Sequence, residues 1–228
     1  MKTCLQFSGG KDSLACLYMM REHWDDLIVV WLNTGAAYPE MIEYMAMWKE
    51  RLPNFVEIKS DQPRNIAEFG WPADVVPINS TSLGQTATGN TGPLIQPYLS
   101  CCAANVWVPL HQAMLNMGIE CVIKGQRIED GRKSIVRSGD TVDGIRFWHP
   151  IENWTTEQVF DYLDEMQADL PPGYYLGEKT GRDCWDCTAY LDENKVRIEN
   201  LPEERKAEVK RRLGLIGKAI REQWHEVI

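Results

Sequence analysis

The chain has 228 residues, of which 44% are apolar and 25% charged, and a formal net charge of −9. That length fits one α/β domain with a small appendage or two small domains, and the apolar fraction is ample for a packed core. An acidic surface repels duplex nucleic acid at long range, no apolar run approaches the ~18 residues of a membrane span, and Met1-Lys2-Thr3-Cys4 enters a strand directly, so no bulk nucleic-acid affinity, membrane segment or secretory signal is expected, and the chain is read as cytoplasmic.

Strands and helices alternate along the sequence. Thr3–Phe7 reads as a first strand, and 12–22 as a first helix with Leu14, Leu17 and Tyr18 in helical period. Leu27–Leu32 is apolar throughout, as a strand covered on both faces should be. Pro39 opens a helix running to about Arg51, a favoured place for proline. Phe55–Ile58 reads as a third strand. Residues 59–97 hold five prolines and four glycines and read as one short helix near Arg64–Phe69 followed by a long loop, of the kind that serves as a substrate lid. Ser100 is the expected cap of a helix over Cys101–Met117. Glu120–Lys124 is a buried strand, Ile145–Trp148 a short one after Asp143-Gly144, and Thr155 caps a helix to about Met166. Residues 170–188 read as irregular, and 203–226 as a charged helix.

This alternation predicts a doubly wound, mostly parallel α/β sheet of Rossmann-like type over residues 1–165, with a small C-terminal, cysteine-bearing and helical extension over 166–228. Ligands of such sheets sit at the carboxyl ends of the strands, near the switch in strand order. Three loops then share one rim: Ser8–Ser13, Asn33-Thr34-Gly35 and Gly125-Gln126-Arg127.

The first loop, Ser8-Gly9-Gly10-Lys11-Asp12-Ser13, carries the clearest chemistry. Glycines let backbone N–H groups approach phosphate oxygens, and the helix N-terminus adds a fixed positive partial charge. Lys11 adds a mobile charge, and Ser8 and Ser13 add hydroxyls. Its spacing is not that of a Walker A loop, which has four residues between its first glycine and its Gly-Lys pair. An ordinary glycine turn is the plain alternative. Arg127, Arg132, Lys133 and Arg137 form a basic cluster near the same rim, fit for phosphate or an acceptor, or simply for solvent. Asn33 and Thr34 are candidates for ribose or adenine.

Seven cysteines in a chain of this kind argue for metal or catalysis rather than disulfides. Cys101-Cys102 are adjacent, and Cys184-Trp185-Asp186-Cys187 is a C-x-x-C pair that one metal or part of a cluster can use. Adjacent cysteines diverge and suit a cubane, spread over several ångströms, better than tetrahedral zinc; unligated thiols are a third possibility. Cys4, Cys16 and Cys121 read as small core residues. His149, beside Pro150, reads as a structural contact, Tyr174-Tyr175 as packing near the C-x-x-C loop, and Met41, Met45 and Trp48 as one core face of a helix.

These stretches, with Pro39-Glu40, His149-Pro150-Ile151 and Trp154-Thr155, resemble the PAPS reductase family of the PP-loop (adenine nucleotide α hydrolase-like) superfamily, including its DNA phosphorothioation ATP pyrophosphatase branch. The resemblance spans about residues 3–190. It implies a PP-loop fold of the HUP type and an adenine nucleotide ligand, ATP or a sulfonucleotide (APS or PAPS). The Cys-Cys…Cys-x-x-Cys signature is similar to that of cluster-bearing adenosine phosphosulfate reductases and implies a [4Fe–4S] cluster on Cys101, Cys102, Cys184 and Cys187. The chain departs from the reductases in two ways. Its phosphate loop is complete, with Lys11, and no cysteine follows Cys187 where the reductases carry a nucleophilic tail thiol.

Three functions follow. The first is ATP cleavage at the α–β bond to adenylate an acceptor for sulfur transfer, with Lys11, Asp12 and Arg127 as catalytic residues. The nucleotide is then bound by Ser8, Gly9, Gly10, Ser13, Asn33, Thr34, Gly35, Gly125, Arg132 and Arg137 besides those three. Mg²⁺ is expected to offset the triphosphate charge, with Asp12 a candidate to help hold it or to cap the helix. The second is reduction of a phosphosulfate with release of sulfite, and the third a non-enzymatic, nucleotide-binding redox sensor. A sulfur-donor or reductant protein is the expected partner.

Overall fold

The structure is a computed structural model describing residues 1–131, 134–179 and 181–225. Arg132 and Lys133 of the basic cluster lie outside the described residues. The chain divides into two compact units, each made of discontinuous segments: Met1–Asn33, Ala37–Lys59 and Leu110–Asp183 form the first, and Thr34–Ala36, Ser60–Pro109 and Cys184–Ile228 the second. The expected boundary at 165/166 falls inside the first unit. The reason is long-range pairing, described below, that joins the C-terminal segment to residues 60–109.

In chain order, the first unit holds β1 (Thr3–Gln6), α1 (Lys11–Met19), a 3₁₀ turn (Arg21–His23), β2 (Ile28–Asn33), α2 (Pro39–Arg51) and β3 (Phe55–Lys59). In the second unit come α3 (Gln62–Phe69), β4 (Trp71–Ala73), a 3₁₀ turn (Ile78–Ser80), α4 (Ser82–Thr88), β5 (Ile95–Pro97), α5 (Tyr98–Cys102) and a π-helical turn (Ala103–Trp107). The helix α6 (Val108–Asn116) leads back to the first unit, which continues with β6 (Cys121–Ile123), β7 (Thr141–Val142), β8 (Ile145–Trp148), α7 (Thr156–Glu165) and α8 (Pro172–Tyr175). The helices α9 (Leu191–Glu199) and α10 (Glu203–His225) complete the second unit.

The sheet of the first unit runs β3-β2-β1-β6-β8-β7, parallel throughout except for β7, which pairs antiparallel with β8. Strand order reverses between β1 and β6, so the switch point lies between the turn after β1 and the loop after β6. One face packs Cys4, Val30, Val122 and Phe147 against Met114 of α6. On the other, Phe7 meets Trp48 of α2 edge-on at 5.8 Å, and Tyr18, Trp24 and Tyr44 close around the same indole. Met41, Met45 and Trp48 are buried as the helical spacing predicts. The N-terminus of α7 carries a full capping box between Thr155 and Gln158.

The second unit departs most from expectation. The long loop read over 59–97 instead contains a two-stranded parallel pair, β4 with β5, and α4. Ala73 and Ile95 of that pair share a core with Ile216 of α10. Thr188 donates to the Pro72 carbonyl at 2.6 Å, and the Tyr190 and Leu191 amides donate to the Asp74 carboxylate. The helix expected over 101–117 starts earlier, at Tyr98, and is broken by the π turn; Ser100 lies inside α5 and caps nothing.

Candidate nucleotide site and thiol cluster

The turn between β1 and α1 is tightly packed and opens α1 with backbone amides. Gly9 has φ +77, a region other residues rarely adopt, and a β-carbon there would stand 2.5–2.6 Å from the methyls of Met45 and Met41. Gly10 is the N-cap of α1 and contributes no side chain, so the first-turn amides are left to other groups. The Gly10 amide donates to the Ser8 hydroxyl at 3.3 Å, and Ser13 donates to the Gly10 carbonyl at 3.0 Å. The Lys11 amide donates to the hydroxyl oxygen of Tyr174 at 2.9 Å, and Gly181 packs backbone to backbone on Gly10.

Lys11, Asp12 and Arg127 form one charge network. Lys11 Nζ and Asp12 Oδ2 are 2.7 Å apart, with the lysine side chain 4% exposed. Arg127, equally buried, places Nε 2.7 Å from Asp12 Oδ1, an ion pair whose N–H is not aligned as a hydrogen bond. Its other nitrogens reach Glu129 and Asp130, both at 3.1 Å, and the hydroxyl of Thr156 at 3.1 Å. Backbone N–H of Thr156 holds the Glu129 carboxyl below its usual range, whereas burial pushes that of Asp130 up. Both oxygens of Asp12 are therefore engaged by cations. The carboxylate expected to help hold Mg²⁺ instead brackets Lys11 and Arg127. Gly125 is fixed by the same contact: a β-carbon there would lie 2.4 Å from the Asp12 carbonyl carbon and 2.6 Å from the Ser13 nitrogen.

Of the remaining expected nucleotide contacts, Asn33 ends β2 and donates to Glu57 Oε1 at 2.9 Å. Arg137 is exposed, and its amide donates to the Asp140 carboxylate. Gly35 has φ +81. Thr34 belongs to the second unit, where its hydroxyl lies 3.2 Å from Cys184 Sγ.

All four cysteines of the expected cluster lie in the second unit, and none of the seven forms a disulfide. Cys101 and Cys102 end α5, next to the π turn, an irregularity frequent at functional sites. Burial pushes the Cys101 thiol up to about 12, with Cys102 and Cys187 adding to the effect. The Asn105 amide donates to the Cys101 carbonyl at 2.9 Å, and the Tyr190 hydroxyl lies 3.7 Å from Cys102 Sγ. Within the C-x-x-C loop, Asp186 is held by Gln62 at 3.1 Å and Arg212 at 2.9 Å, and Arg205 stacks on Trp185. Among the described residues no three Cys, His, Asp or Glu side chains converge on a single ion position. Four thiols from two segments do fit the ligand chemistry of a cubane.

Sequence reasoning did not assign three features. Tyr174 was expected only to pack, and its partner lies far away in sequence. Arg182 makes a bidentate pair with Glu178, an ion pair with Glu40 and a stack on Tyr38. The anchor of Asp186 on Gln62 and Arg212 needs contacts that spacing does not show.

A strand–glycine turn–helix at the switch point of a parallel sheet, with a buried lysine opening the helix, defines an α/β nucleotide-binding protein of the PP-loop type. Residues 2–190 match the family model described as the phosphoadenosine phosphosulfate reductase domain, and the chain belongs to that family, one of enzymes. Among solved structures it is similar to phosphoadenylyl-sulfate (PAPS) reductase from Candida auris in a phosphate complex: 16% identity, 81% of this chain and 82% of that one covered, TM-score 0.57. It is also similar to the U34-tRNA thiolase of Methanococcus maripaludis with its [4Fe–4S] cluster: 12% identity, 99% and 72% covered, TM-score 0.51. At these identities the likeness is one of fold. No curated protein matches the chain. No helix among the described residues is long and apolar enough to cross a membrane.

Proposed function

We propose that this enzyme is an ATP pyrophosphatase that adenylates an acceptor for sulfur transfer. The observation that carries the reading is Lys11, buried at the first residue of α1 and set beside Asp12 and Arg127 in a complete glycine turn. A lysine held at a helix N-terminus is matched to the β and γ phosphates of a triphosphate, which a sulfonucleotide lacks. An acceptor oxygen bonds to the α phosphorus, the bond to the bridging oxygen breaks, and pyrophosphate leaves. Sulfide then bonds to the acceptor carbon, the carbon–oxygen bond breaks, and AMP leaves with that oxygen. The residues' part is electrostatic: the Ser8–Ser13 turn and Lys11 stabilise the charge that grows on the leaving pyrophosphate, while Asp12 fixes Lys11 and Arg127 in place. Magnesium enters bound to ATP.

Cys101, Cys102, Cys184 and Cys187 are the residues to hold a [4Fe–4S] cluster, which supplies a redox-active, sulfur-binding iron centre when bound. A second reading, phosphosulfate reduction, is favoured by the family match. One experiment separates them. Anaerobically purified protein is incubated with ATP and Mg²⁺, with APS or with PAPS plus a thiol, while AMP, pyrophosphate and sulfite are followed. Pyrophosphate from ATP supports the first reading. Sulfite from APS or PAPS, with ATP untouched, overturns it in favour of the second.

A further inference from the structure

The rim that carries the Ser8–Ser13 turn holds a third cation besides Lys11 and Arg127, and among the described residues it has no ion pair. Lys124 follows β6 and precedes Gly125, the residue pressed against the Asp12–Ser13 backbone. The parallel register pairs Ile123 with Trp148, and the Lys124 amide donates to the Trp148 carbonyl at 3.0 Å. Lys124 and His149 therefore stand side by side at the carboxyl ends of β6 and β8, on the face that carries Val122 and Phe147. Among the described residues no carboxylate pairs with the Lys124 amine, and burial holds its pKa below the ordinary lysine value.

His149 sharpens the anomaly. It is 3% exposed, and neither ring nitrogen has a hydrogen-bond partner; the nearest acid, Glu152, stands 3.8 Å from Nδ1. Burial, and then the charge of Lys124, lower its pKa and favour the neutral imidazole. A buried imidazole with two unmet nitrogens beside an unpaired amine is expensive to fold, and such groups recur where a ligand completes them.

We infer that Lys124, beside His149, forms a second oxyanion subsite on this rim, which takes the α-phosphate of the nucleotide while the Ser8–Ser13 turn takes the pyrophosphate end. The inference rests on the proposed function and divides its site in two. Its place in the chain suits it: Lys124 is bonded to Gly125, the residue that touches the Asp12–Ser13 backbone at the carboxyl ends of the strands. A lysine also suits an α-phosphorus whose oxygens reorient as it is attacked, because its compact ammonium imposes no fixed plane.

The test is calorimetric titration of the full chain with pyrophosphate, AMP and adenosine. Lys124→Met is expected to weaken AMP binding ~10-fold or more, the scale of one charge-assisted contact, and to leave adenosine and pyrophosphate within about twofold of the unmodified protein. Retained pyrophosphate binding also shows that the variant is folded. Lys124→Arg, which keeps the charge, is expected to recover part of the loss. Unchanged AMP affinity in Lys124→Met, or an equal loss for adenosine, overturns the subsite. An unmodified chain that binds AMP in a Lys124-dependent way but not pyrophosphate sinks the reading of the turn and leaves Lys124 standing.

Discussion

The hydroxyl of Tyr174 receives the backbone N–H of Lys11 at 2.9 Å, so a side chain from α8 occupies an amide at the start of α1 that the proposed function assigns to a phosphate. Phe160 of α7 packs edge-on against the same ring at 5.7 Å and steadies it. Tyrosine and phosphate compete for one donor. Tyr174→Phe removes the competitor and keeps the ring, so pyrophosphate affinity is expected to rise roughly two- to tenfold, the net worth of one neutral hydrogen bond. Titration calorimetry reads this directly, and weaker binding would mean that the hydroxyl contacts the ligand instead.

Removing the lysine itself acts in the opposite sense. Lys11→Ala is expected to lower ATP affinity or turnover at least about tenfold, because one charge-assisted phosphate contact is lost and Asp12 keeps only Arg127. Initial rates of pyrophosphate release across an ATP series check it; unchanged rates would take Lys11 out of the mechanism.

A methyl group at residue 125 tests the loop after β6. The β-carbon of Gly125→Ala has only backbone to move, at 2.4 Å from Asp12, so the loop or the start of α1 must shift. A loss of ~1–3 kcal/mol is expected, as for overpacking elsewhere, seen as a lower Tm together with weaker nucleotide binding.

The cysteines make a visible prediction. Anaerobically purified protein is expected to absorb broadly near about 400 nm, and Cys184→Ser to abolish that band. A colourless unmodified protein with stoichiometric zinc would end the cluster assignment.

Acid stability has one local source in α10. Hydrogen bonds from Arg211 and Arg212 lower the Glu208 carboxyl to about 2. A depressed carboxyl stabilises the fold above its unfolded pKa and loses that contribution as pH falls through its folded value, here from about 4.5 down to about 2. For a pair this exposed the contribution is at most about 1 kcal/mol. Glu208→Gln is expected to lower stability at pH 6 by that much and to leave it unchanged at pH 2, by denaturant unfolding.

The sheet of the first unit was legible because its signals are local. A glycine turn follows an apolar strand, Pro39 opens α2 where the sequence places it, and Thr155 with Gln158 caps α7. The small sheet was not legible. Its strands are three residues long, each contains a proline, and they pair across more than twenty residues of chain, so composition pointed to a loop. The α9 helix escaped because its charged sequence lacks an apolar period. At the candidate site, the glycine turn opening α1 was readable from its order, but the partners of Arg127 and the hydroxyl of Tyr174 arrive from distant segments. His149, read as a structural contact, makes no hydrogen bond through its ring.

The interleaved build of the second unit has a practical consequence. A fragment ending at residue 190, where the family match stops, would retain all four cysteines of the two pairs. It would lack Arg212, whose guanidinium neutralises Asp186 between two of them, and Ile216, which closes the core over β4 and β5. Shortening the chain to its recognisable part is thus expected to bare that core and loosen the thiol-bearing loop, because the last helix is the foundation on which the loop stands.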